Sequence, residues 1–162
     1  MNKLKHFVGI DTGSKGALAI LTEDEKVIEI VDFNKEVDSY SRLCYRFGGD
    51  CYTDYYVVVE DVCGRPGQSC QSNTTFMKLA GYAELVGNFM STEYSKVKPQ
   101  VWKKHFGLIS KGLTKTEKKK MSIELAKKLF PSVADQLTAS KDGRAEALLL
   151  AKYCKEVYED HV

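Results

Sequence analysis

The chain has 162 residues, 24 basic and 22 acidic side chains, 43% hydrophobic residues and a formal net charge of +2. That is the balance of one folded globular domain spanning 1–162, and it excludes a disordered chain or a membrane span, which needs about 20 consecutive apolar residues. The small net charge conceals an asymmetry: between Lys96 and Lys128 eleven lysines face two acids, a local excess of +9 that leaves −7 for the remainder.

Phe7-Val8-Gly9-Ile10 reads as a strand that runs into the Gly-rich turn Asp11-Thr12-Gly13-Ser14-Lys15-Gly16. It follows Met1 so closely that no room is left for a secretory signal. Ala17–Leu21 and Val27–Val31, separated by a polar turn, extend it into an antiparallel meander. Val37 to Phe47 reads as a helix of weak periodicity. Tyr55–Val59 is a β-branched and aromatic run, the pattern of a strand buried on both faces, and it stops at Glu60-Asp61. Cys63 to Asn73 reads as a loop, and Thr74 to Met90 as a helix with apolar residues at 76, 79, 80, 83, 86 and 90. A short strand over Tyr94–Val97 leads into a helix begun by Pro99. Thr114 opens a basic helix with Glu117 at capping-box spacing, and a last helix runs from about Asp142 to Tyr158. Hairpin strands followed by alternating helices and strands predict an α/β layer with a mixed sheet. Five cysteines, an odd number without a Cys-x-x-Cys pair, point to a reducing compartment, the cytoplasm, and away from a zinc site.

The acidic residues carry the chemistry. Asp11 and Glu60 both stand at strand ends, where open sheets bind ligands. Asp142 and Glu146 share one helix face by their i,i+4 spacing. Glu146 lies inside the apolar run Ala145–Ala151, where an isolated carboxylate must be neutralised, paired with Arg144 or Lys15, or bound to a cation. Taken singly, these acids also read as a turn residue, a strand end, a helix cap and a salt-bridge partner, and the lysines as a solvated helix face. Together, four carboxylates without histidine or cysteine suit a hard ion, Mg²⁺ or Mn²⁺. Two such ions about 3.5–4 Å apart can activate water and stabilise a leaving oxygen in phosphodiester cleavage. A polyanionic substrate would in turn account for the lysines.

The ordered set Val8-Gly9-Ile10-Asp11-Thr12-Gly13, Val57-Val58-Val59-Glu60-Asp61, Arg65-Pro66-Gly67-Gln68-Ser69, Val97-Lys98-Pro99-Gln100-Val101-Trp102-Lys103, Leu129-Phe130-Pro131 and Asp142-Gly143-Arg144-Ala145-Glu146 resembles RuvC-type Holliday-junction resolvases of the RNase H-like superfamily, particularly their phage-encoded branch. The resemblance spans nearly the whole chain. It implies an RNase H-like fold with a five-stranded mixed sheet flanked by helices, a homodimer, and Mg²⁺-dependent nicking of four-way DNA junctions. On those motifs Asp11, Glu60, Asp142 and Glu146 are metal ligands, Lys111 and Lys115 belong to the stretch near the scissile phosphate, and Lys115 is catalytic. Lys118, Lys119, Lys120, Arg65 and Gln68 are expected to contact DNA, and a phage enzyme would act in the host cytoplasm. One departure stands out: the bacterial pattern has aspartate at the position of Glu146 and a second acid three residues earlier, where this chain has Gly143.

Other readings compete. The phosphate loop of sugar kinases and actin-like ATPases also resembles Gly9–Ser14, but those proteins need two such domains, and no Walker-type loop occurs. A nuclease for RNA or RNA–DNA hybrid, and a non-catalytic DNA-binding protein of the same fold, stay open. Trp102, the single tryptophan, reads as a core residue, Phe76 as simply the first apolar residue of its helix, and Tyr55 and Tyr56 as sheet packing.

Overall fold

The first strand, β1 (Leu4–Asp11), is the axis of the architecture. In the computed structural model, which describes residues 3–13, 15–33, 37–48, 51–64 and 66–159, it lies at the centre of a five-stranded sheet. It pairs antiparallel with β2 (Ala17–Thr22), which pairs antiparallel with β3 (Val27–Asp32). On its other side it pairs parallel with β4 (Thr53–Glu60), and β4 parallel with β5 (Glu93–Val97), giving the order β3-β2-β1-β4-β5. The expected meander and mixed sheet are both present. The polar turn closing β2 on β3 places Glu25 at φ 60°, and Lys152 and Lys155 grip its carboxylate.

Residues alternate between the faces of a strand, and the two faces have different partners. Val8 and Ile10, with Val57 and Val59, pack against α1 (Val37–Phe47) and α2 (Cys70–Met90). Phe7 and Val58 face the opposite layer, built from α3 (Pro99–His105), α4 (Lys115–Leu129) and α5 (Asp142–Glu159). Continuing the alternation, Asp11 and Glu60 project on that second face. There α5 lies directly on β1, and Gly9 permits it: a Cβ at this position would stand 2.1 Å from the Ala147 carbonyl oxygen.

The basic helix starts as its spacing predicts. Thr114 caps α4, its hydroxyl accepting from the Glu117 amide while Glu117 accepts from the Thr114 amide. The second helix starts earlier than expected, at Cys70 instead of Thr74. Ser69 is its N-cap and accepts from the Ser72 amide. The first turn, Cys70–Asn73, is mostly exposed and polar, so it carries no apolar period to betray it. Two short 3-10 turns, Pro131–Gln136 and Ala139–Lys141, join α4 to α5 outside the elements that the sequence pattern predicts. Among the described residues no helix is long and apolar enough to cross a membrane.

Candidate metal centre and its cleft

Strand register brings the first two acids together. Ile10 of β1 stands opposite Val59 of β4 in parallel pairing, so Asp11 and Glu60 follow side by side at the strand ends. The adjoining backbone is pinned: the Gly13 amide donates to Asp11 Oδ1 at 3.1 Å, and the Thr12 hydroxyl donates to the Glu60 carbonyl at 3.3 Å. From above, the first turns of α5 deliver Glu146. Asp11, Glu60 and Glu146 each offer an oxygen within 4.8 Å of the others. Asp11 and Glu60 are both buried.

Such an arrangement opposes its own charge. Burial pushes the Asp11 carboxyl well above the usual carboxylate range, and the charges of Glu146 and then Glu60 push it further. Two side chains of α3 compensate in part. Trp102 donates its indole N–H to Glu60 Oε1 at 3.0 Å, and Lys103 donates to Glu146 Oε1 at 3.0 Å while its ammonium lies 4.8 Å from the Trp102 ring centre. The expected partners of Glu146 are thereby corrected. Arg144 turns the other way, to a bidentate bond with Asp32 on β3, and Lys103 takes its place. Neither Lys103 nor the polar role of Trp102 was legible, because both depend on how α3 seats against the sheet.

Asp142 is buried at the same cleft but does not join the group of three. Its Oδ2 pairs with Lys119 of α4, and its Oδ1 is buried without a hydrogen bond. The cleft measures about 910 Å³, with Asp11, Glu60 and Glu146 in its lining. Lys15, Lys98, Lys103, Lys115, Lys118 and Lys119 line it as well, together with Phe76 of α2. Thus three of the expected DNA-binding lysines, 115, 118 and 119, reach the acidic cleft. Lys111, Lys120 and Gln68 are exposed outside its lining, and Arg65 lies outside the described residues. Trp102 is fully buried in the core as expected, and Phe76, read as the first apolar residue of its helix, borders the cleft.

The chain superposes on Thermus thermophilus RuvC in complex with a Holliday junction substrate at a TM-score of 0.58 and 14% identity, covering 96% of this chain and 95% of that one. A second Thermus thermophilus RuvC structure gives 0.52 and 14%, with the same coverage. The chain has the RNase H-like fold of RuvC. No protein-family model and no curated protein matches it.

Within that fold the glycine at 143 has a steric cause. A Cβ there would lie 2.0 Å from the Lys15 carbonyl oxygen and 2.8 Å from Asp11 Oδ2. The β1–β2 turn and the Asp11 carboxylate occupy the space that any side chain would need. An acid three residues before Glu146 therefore cannot be accommodated with this turn, and the nearest acid, Asp142, meets α4 instead.

Proposed function

We propose that the chain is a divalent-metal-dependent endonuclease that cuts branched DNA, four-way junctions above all, as a homodimer of the phage-encoded RuvC type. The observation that carries this reading is the convergence of Asp11, Glu60 and Glu146 beneath a wall of lysines. The donor set fits Mg²⁺ or Mn²⁺: all three side chains offer oxygen, and the Asp11 carboxyl is held at an unfavourable charge that a cation would relieve. When bound, such an ion supplies an activated water and neutralises charge on the phosphate.

The chain's own residues supply the rest. Asp11 and Glu60 at the strand ends and Glu146 on α5 would hold the ion, fixed by the Gly13 amide, the Trp102 indole and Lys103. Lys115, Lys118 and Lys119 receive the backbone phosphates, and Lys115 is assigned near the cleaved bond by the motif it resembles. Asp142 holds Lys119 at the cleft wall, apart from the group of three. Cleavage leaving a 5′-phosphate and a 3′-hydroxyl is the outcome that the family resemblance implies.

Asp11→Asn and Glu60→Gln test the centre. Both variants should lose cleavage by at least two orders of magnitude while binding junction DNA as tightly as the parent, because binding rests on the lysines. Gel-shift and cleavage assays on the same preparations measure the two separately, and cleavage unchanged in either variant would refute the assignment.

A further inference from the structure

The single tryptophan of the chain is completely buried, and its bulk alone could be replaced by another large apolar side chain. Its polar atom could not. A buried indole N–H needs an acceptor, and here the acceptor is a carboxylate of the acidic group, Glu60 Oε1, at 3.0 Å. The strand end is thus fixed twice, since the Glu60 carbonyl also accepts from the Thr12 hydroxyl. Pro99 sets the first turn of α3, and successive residues of that helix then diverge by about 100°, with 3.6 residues per turn. Trp102 enters the core beneath the cleft, while Lys103 reaches the cleft and Glu146. One short helix therefore addresses two of the three carboxylates through adjacent residues.

We propose that Trp102 is a positioning residue for the metal centre: its indole N–H sets the plane of the Glu60 carboxylate, and with it the affinity of the three-carboxylate group for a divalent ion. The proposal rests on the reading of Asp11, Glu60 and Glu146 as such a centre. Hydrogen bonds that orient metal ligands typically contribute about 10–100-fold in metal affinity. A tryptophan kept for packing alone contributes nothing through its nitrogen.

The two roles separate when shape is kept and the donor removed. Trp102→benzothienylalanine places sulfur where the indole has N–H, and Trp102→Phe removes the donor with a smaller ring. Mn²⁺ affinity is read by calorimetry, with folding checked by circular dichroism in chelator and Glu60→Gln as the ligand control. The expected result is a folded benzothienylalanine protein whose Mn²⁺ dissociation constant rises about 10-fold or more, with Trp102→Phe weakened at least as much. Affinity within twofold of the parent in the benzothienylalanine protein, alongside clear loss in Glu60→Gln, would overturn the positioning role alone. Absence of Mn²⁺ binding by the parent, or full binding by Glu60→Gln, would overturn the metal centre and the inference with it.

Discussion

Asp11 folds into a place where its charge is unwelcome. Burial, then Glu146 and Glu60, hold its pKa above the ordinary carboxylate range. A group whose folded pKa is raised contributes full stability below its unfolded value and loses that contribution as pH rises through the folded value. Once ionised, the carboxylate therefore opposes folding unless a cation sits beside it. Above that raised value Asp11→Asn should accordingly melt higher than the parent in chelator, and Mg²⁺ should raise the melting temperature of the parent but not of the variant. Thermal melts with and without Mg²⁺ check both. Asp32 behaves in the opposite sense: the Arg144 hydrogen bond lowers its pKa, and in Glu25 the Lys152 bond does the same. Their stabilisation is present above the unfolded values and is lost as pH falls through the lowered ones. In chelator the stability maximum should thus lie between the lowered values of Asp32 and Glu25 and the raised value of Asp11, and Mg²⁺ should move it upward. A maximum unmoved by Mg²⁺ would contradict the centre.

On the proposed reading, helix α4 is the element on which DNA binding depends. Its N-terminal half presents Lys115, Lys118 and Lys119 to the cleft, whereas Lys127 and Lys128 lie in its last turn, outside that lining. On duplex DNA the slope of log K against log salt should be about −0.9 per phosphate neutralised. Lys115→Gln should flatten it by roughly one unit and reduce cleavage more than binding. Lys127→Gln should change neither, and equal, negligible effects of both would return α4 to a merely solvated helix. Thr114→Ala removes the cap and should cost about 1 kcal/mol of stability, measured by urea unfolding. The start of α4 was readable because a capping box is a local signal, and so were the strands, which alternate or run apolar. The start of α2 was not, since Ser69 caps a turn whose residues face water. For the site, strand ends and helix spacing pointed to the four acids. Which of them converge depends on long-range packing: Gly143 against the Lys15 carbonyl, Lys119 against Asp142, and α3 against the sheet.

At the scale of the whole molecule, the acids gather at one end of the sheet and lysines border them, so a chain of net charge +2 carries a locally basic rim around its acidic cleft. The proposed dimer has a candidate surface elsewhere, on α2. Met77, Leu85 and Phe89 are exposed there at four- and eight-residue spacing, with Gly81 between them and nothing within 4 Å of its would-be Cβ. Gly87 serves a different purpose, since a Cβ there would meet Val59 at 2.8 Å inside the subunit. Leu85→Glu should therefore shift sedimentation toward monomer without unfolding the chain, and a parent that is monomeric at micromolar concentration, with and without DNA, would contradict the dimer. The most direct test of the central claim is cleavage of matched four-way junction, duplex, single-stranded and RNA–DNA hybrid substrates in Mg²⁺, with Asp11→Asn in parallel. The account predicts paired nicks in opposing strands of the junction by the parent and none by the variant. Preferential cleavage of the hybrid, or junction cleavage that persists in Asp11→Asn, would contradict it.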